Sequence, residues 1–151
     1  EYRKSLVESD NDVWGEVRHC ANPTINTVLT VYERRARESG ISVKISAKAS
    51  RDLEVSPQDL VIVIANLFEN AIHATQKHKG QKKLIDIIIK SNAQRLLIKV
   101  ENPCRNNLTF DETLYGVGIH SVIATTNKYE GMYDFSAEDG IFSAKISLNL
   151  K

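Results

Sequence analysis

Cysteine is nearly missing from this chain. Cys20 and Cys104 are its only two, and neither belongs to a metal-ligand spacing or a disulfide framework, so two free thiols in a reducing compartment are expected. Charge of one sign is also missing. Twenty Lys and Arg against nineteen Asp and Glu leave a formal net charge of +1, which gives no electrostatic reason to bind nucleic acid or an anionic membrane. Long hydrophobic runs are absent, and the longest, Leu60 to Ala65 and Ile87 to Ile89, are far too short to span a bilayer. With three Pro and seven Gly there is no low-complexity tract or internal repeat. No His/Cys cluster, nucleophile elbow or paired-carboxylate motif occurs, which argues against a hydrolase of the triad or zinc type. Glu1-Tyr2, with no initiator Met and no secretory signal, reads as the start of a piece cut from a longer protein.

What is present is an ordinary globular composition, 42% hydrophobic and 26% charged over 151 residues. A chain of that length buries roughly 70% of its unfolded surface as a single domain. Its centre is the stretch from Ser56 to His78. Ser56 can cap a helix, Pro57 suits its first turn, and Asp59 suits the positive N-terminus. His73, Lys77, His78 and Lys79, followed by Gly80, suit its end; the four lysines between Lys77 and Lys83 read as a solvated helix end and turn. At about 100° per residue, Leu60, Ile64, Leu67, Phe68, Ala71 and Thr75 form one stripe. Asn66, Asn70 and His73 fall nearly opposite it, among Ile62 and Val63. Amide oxygens are hard ligands of the kind Mg2+ accepts alongside water and phosphate. Taken alone, an Asn pair more often bonds backbone or solvent.

Before this stretch, residues 1–21 are polar and irregular and read as a linker or the tail of a preceding helical element. Asn22-Pro23 opens a helix running to Ser39, with Ile25, Val28, Leu29, Tyr32 and Ala36 at helical spacing and Gly40 at its end. Ile41 to Lys48 alternates as a half-buried strand. Leu53-Glu54-Val55 suggests a second, short strand. After the central helix come strands at Leu84–Lys90 and Leu96–Glu101 about a polar turn, and Asn102-Pro103 breaks the second. Gly116-Val117-Gly118 leads into a helix from about Ile119 to Lys128. Strands Gly131–Ala137 and Ile141–Leu150 flank Glu138-Asp139-Gly140, a tight-hairpin signal. This order predicts a two-layer α/β (α+β) sandwich, one mixed sheet with helices on one face.

Asn66-Leu67-Phe68-Glu69-Asn70-Ala71 resembles the N box of the GHKL ATP-binding superfamily, which includes histidine kinases, gyrase-type topoisomerases, Hsp90 and MutL. Gly116-Val117-Gly118-Ile119 is similar to its second glycine box, and Val100-Glu101-Asn102 stands where the family places its adenine-reading acid. The resemblance covers about residues 22–150. It implies a Bergerat-type fold over residues 22–151, with a mostly antiparallel sheet. The most similar subgroup is the quorum-sensing and citrate-sensing sensor kinases, from the phrase Asn22-Pro23-Thr24-Ile25-Asn26 through Gly40-Ile41.

Carried over by position, the resemblance implies ATP and Mg2+ as ligands. Asn70 becomes the principal metal ligand, with Asn66 supporting metal or phosphates. Asn102 replaces the adenine-binding Asp, and Pro103-Cys104 replaces the Asn-Gly of the first glycine box. His73 stands where many kinases have a Lys or Arg near the phosphates. Pro103 to Tyr115 becomes a short ATP lid with Arg105 as a phosphate contact. Gly116, Gly118 and the turn at Ile119 would let backbone approach the polyphosphate. A Glu base four residues before the metal Asn, which ATP-hydrolysing relatives carry, is replaced by Asn66, an amide that cannot act as a base.

The implied function is the catalytic domain of a two-component histidine kinase. It would donate the γ-phosphate to a histidine on a dimerisation domain absent from this chain. His19 lacks the acidic follower of an acceptor motif. The resemblance further implies a response regulator served indirectly, a homodimeric full-length protein, and a cytoplasmic domain of a membrane-anchored bacterial sensor, itself touching neither membrane nor nucleic acid. Two readings of other classes remain beside it: a nucleotide-independent scaffold, and an ATPase or anti-sigma serine kinase.

Overall fold

The computed structural model describes residues 18–78, 80, 82–104 and 117–150. Helix α1 (Pro23–Glu38) begins where the extended Asn22 accepts the Ile25 amide at 3.1 Å on its side chain, with Pro23 in the first turn. It ends in a Schellman arrangement. Gly40 takes a φ of +78°, its amide bonds Arg37 O at 2.9 Å, and the Ile41 amide bonds Ala36 O at 3.0 Å. Strand β1 (Ser42–Lys48) follows. The central helix α2 (Pro57–Lys77) is capped by Ser56, whose side chain accepts the Asp59 amide at 3.1 Å.

Between β1 and α2, Leu53-Glu54-Val55 is bend and coil, not the short strand expected from its sequence. The apolar pattern there reflects Val55, which is buried in the core. Nearby carbonyls of Ser50 and Arg51 accept from Asn22 Nδ2 at 3.2 and 3.1 Å, so this loop is fastened to the start of α1.

Strands β2 (Leu84–Ser91) and β3 (Arg95–Pro103) form the expected hairpin, its turn held by Asn92, whose side-chain oxygen accepts the Gln94 and Arg95 amides at 2.8 Å each. Helix α3 (Val117–Lys128) precedes β4 (Met132–Glu138) and β5 (Ile141–Asn149). The last hairpin turns through Asp139 and Gly140 at φ +54° and +79°, the paired positive angles of a type I′ turn that matches strand twist.

The five strands lie in the order β1-β2-β3-β5-β4. Only β1 and β2 are parallel, joined by the crossover through α2; the other three pairs are antiparallel. Alternation divides the sheet. Val43, Ile85, Ile87, Ile89, Ile98, Val100, Ala144 and Ile146 are buried toward the helices. Lys44, Lys48, Lys90 and Lys145 occupy the outer face and are exposed. The predicted α2 stripe, from Leu60 to Thr75, is buried throughout. The result is the expected two-layer sandwich, with α2 between α1 and α3.

Two sets of contacts fix α2 in place. Toward α1, the Tyr32 and Phe68 rings stack at 5.7 Å, and Arg35 donates to both Glu69 oxygens at 2.6 and 2.9 Å. Toward α3, Asp59 Oδ2 accepts from Tyr129 Oη at 2.6 Å and from Lys128 Nζ at 2.9 Å.

Candidate functional site

The two α2 asparagines, which the sequence places on one side of the helix, differ in what they hold. Asn66 Nδ2 donates to Ile62 O at 2.7 Å, one turn back on its own helix. Its Oδ1 lies against Gly118, in the first turn of α3: a Cβ built on Gly118 would stand 2.5 Å from that oxygen. Asn70, one turn later, is partly exposed, and its amide makes no hydrogen bond among the described residues. Its carbonyl oxygen, a hard donor, thus has no hydrogen-bond partner among these residues. Among the described residues, no cluster of His, Cys, Asp or Glu could hold a metal ion. An amide oxygen is a hard donor of the kind that oxygen-preferring cations accept.

Asn102 lies at the end of β3, opposite Phe142 and in line with the helix-facing Ile98 and Val100. It is only 2% exposed, and its Nδ2 donates to Pro103 O at 2.9 Å. A short polar side chain is thus held inside the helical layer where the strand stops. Beside it, the Cys104 amide donates to Gly140 O at 2.9 Å. Burial pushes the Cys104 thiol up from its ordinary value, which disfavours the thiolate.

His73 points elsewhere. Its Nε2 lies 3.0 Å from Glu69 Oε2, on the α1 side, and its side chain is 61% exposed. Glu69 accepts Arg35 on both oxygens, and the Arg35 guanidinium, first by hydrogen bonding and then by its charge, holds the Glu69 carboxyl below its ordinary value. Arg35 is raised correspondingly and sits 4.9 Å over the Tyr32 ring. Ile119 packs in the core, leaving backbone as its contribution to any ligand. Arg105 and Gly116 lie outside the described residues.

Sequence reasoning missed two joints that hold this face together. Asp59 suits the helix dipole by its place in the first turn, yet it is buried and bonded to the far end of α3. Tyr129, followed by Lys128, holds its carboxyl below the ordinary value. Glu69 has no partner legible in the sequence, yet it holds Arg35 of α1. No periodic signal marks either partnership, because both link residues far apart in the chain. His19 is closed into α1: its Nε2 lies 2.8 Å from Glu33 Oε1, and its amide donates to Asn26 Oδ1 at 2.7 Å.

Residues 55–149 match the GHKL domain family. This chain is a GHKL domain. The match begins just before α2 and ends with β5, so it contains Asn66, Asn70, Asn102 and Gly118, while α1 with Arg35 lies ahead of it. A "Probable C4-dicarboxylate sensor kinase" of Bacillus subtilis (strain 168) is 34% identical over 118 residues, which is 76% of this chain but 21% of that protein. The GHKL domain thus spans about a fifth of that relative. Among solved structures, the catalytic domain of histidine kinase ThkA superposes with a TM-score of 0.67 at 17% identity, covering 83% of this chain and 90% of the other. The Acinetobacter baumannii histidine kinase AdeS superposes with a TM-score of 0.61 at 17% identity, covering 85% and 64%. The GHKL domain shares their fold. No helix among the described residues is long and apolar enough to cross a membrane.

Proposed function

We propose that this GHKL domain is the ATP-binding catalytic domain of a sensor histidine kinase, passing a γ-phosphoryl group to a histidine on a dimerisation domain outside residues 22–151. The placement of the Asn70 amide carries the reading: an oxygen donor on the partly exposed side of α2, without a partner among the described residues and one turn beyond the residue that meets the glycine turn of α3. Bound there, Mg2+ would neutralise phosphate charge, and Asn70 would hold it. Asn102 would accept from the adenine amino group inside the helical layer. The backbone at Gly118 and Ile119 would offer unpaired amides to phosphate oxygens.

The side chain at position 66 supports a kinase over a hydrolase. An amide cannot take a proton from water near neutral pH, and this one already donates to its own helix. A neutral histidine nucleophile needs no such base, so positioning and electrostatics suffice for the transfer. The named relative supports placing the parent protein among sensor kinases of the C4-dicarboxylate kind; on the kinase reading it would be a homodimer acting on a response regulator through the histidine.

Calorimetric titration with a non-hydrolysable ATP analogue and Mg2+ tests this. Binding that weakens roughly tenfold or more in Asn70→Ala and in Asn102→Ala is expected. Absence of binding at millimolar analogue would favour a nucleotide-independent scaffold. Steady ATP turnover by the isolated domain would favour an ATPase.

A further inference from the structure

Gly118 reads from sequence as a residue that lets backbone approach a polyphosphate. Its surroundings give its missing side chain a nearer use. A Cβ at Gly118 would meet Asn66 Oδ1 at 2.5 Å, Asn66 Cγ at 3.0 Å and Asn66 Cβ at 3.3 Å. Three atoms of one short side chain therefore fill the space a Cβ would take. Asn66 cannot readily withdraw. Its Nδ2 is committed to Ile62 O at 2.7 Å, which fixes the amide plane against the helix and turns Oδ1 toward α3. The flanking residues offer no slack either, since Val63, Leu67 and Ile119 are all buried in the core.

We infer that Asn66 and Gly118 form a size-matched joint that sets how closely the first turn of α3 approaches α2, making Asn66 a positioning residue and not a metal ligand. The side chain acts as a spacer of fixed length. Its inner end is clamped to the α2 backbone, and its outer end touches the one residue type that leaves room for it. At its other end α3 is pinned by Tyr129 and Lys128 to Asp59, in the first turn of α2. With both ends fixed, the orphan amides of the α3 N-terminus hold a set distance from Asn70, one turn further along α2. Asn66 thus bears on nucleotide binding through backbone geometry. Asn70 keeps the cation to itself.

The nucleotide arm of this inference rests on the proposed function; the joint itself does not. The test is a double-mutant cycle of Asn66→Ala and Gly118→Ala, read first as thermal unfolding without nucleotide. Gly118→Ala should lower the midpoint by roughly 5 °C in the Asn66 background and by less than half of that in the Asn66→Ala background. If Gly118→Ala alone fails to fold, cooperative unfolding of the double variant counts as rescue. Equal losses in both backgrounds, or failure of both to fold, would overturn the joint. The second reading is the Mg2+ concentration that gives half-maximal binding of an ATP analogue. Asn66→Ala should weaken analogue binding by about fivefold yet leave that concentration within roughly twofold of wild type, whereas Asn70→Ala raises it at least tenfold. An Asn66→Ala shift as large as that of Asn70→Ala would make Asn66 a ligand and reject the positioning role. If the wild-type domain binds no analogue, the kinase reading falls while the unfolding cycle still decides the joint.

Discussion

Tyr129 donates its hydroxyl to Asp59 Oδ2 at 2.6 Å and accepts the Ser56 amide at 3.1 Å, so one phenol closes the chain's last helix onto the first turn of its central one. Tyr129→Phe leaves a backbone donor and a buried carboxylate oxygen each one partner short. The expected loss is about 1–3 kcal/mol in denaturant unfolding, with the slope unchanged. A change within about 0.5 kcal/mol would show that the phenol packs but does not pin.

Acid should act on the same joint. Asp59 and Glu69 both have carboxyls held below their ordinary values, by Tyr129 and Lys128 in one case and by Arg35 in the other. A lowered folded-state value means the stabilisation is fully present above about pH 5, where the unfolded carboxylates are ionised, and is lost as pH falls through the folded values. Unfolding midpoints measured from pH 6 down to pH 2 should drop steeply. In Asp59→Asn the drop should be shallower, from a lower starting point; parallel curves would remove Asp59 from the linkage.

Arg35→Ala breaks a bidentate pair whose two side chains are 46% and 29% exposed, and it removes a cation from the Tyr32 ring. Solvent screening keeps the expected cost modest, about 0.5–1.5 kcal/mol. A cycle with Glu69→Gln should recover at least half of it as coupling. Strict additivity would mean the pair contributes nothing of its own.

Asn102→Asp places a carboxylate at a position 2% exposed, with the Pro103 carbonyl oxygen where Nδ2 now donates. A loss of about 2–3 kcal/mol at pH 7 is expected, shrinking at acid pH as the new carboxyl takes up a proton. A pH-independent loss would mean the site admits enough water to keep that charge solvated.

Gly131, just before the edge strand β4, is set against β5. A Cβ there would overlap the carbonyl oxygen of Ser147, a backbone atom that cannot swing aside. Gly131→Ala should cost about 2 kcal/mol or more and shift the β5 amide resonances around Ser147. Wild-type stability would mean that β4 and β5 can part locally without penalty.

Much of this architecture is legible in the chain because it is written in local chemistry. The α2 stripe repeats at the helical period, Gly40-Ile41 can only end a helix one way, and Asp139-Gly140 supplies both positive φ angles of a hairpin. Leu53-Glu54-Val55 misled because one buried valine between polar residues imitates a strand. Spacing put Asn66, Asn70 and His73 on one side of α2. It could not say that the first is clamped to its own helix, or that the third turns to Glu69. Those outcomes depend on Gly118 and Arg35, distant residues with no periodic relation to the helix. Asp59 hides its partners for the same reason.

The sheet order also governs how the molecule assembles. Within β2–β3 and β4–β5, partners are close in sequence and can zip from their turns in microseconds. Joining β1 to β2 brings Ser42 beside Leu84, and joining β3 to β5 brings Arg95 beside Asn149, each closing a long loop before any contact compensates its entropy. The parallel pair, moreover, encloses α2 in its loop. Folding should therefore be limited by docking of preformed hairpins onto the central helix, placing this domain among the slower folders of its size.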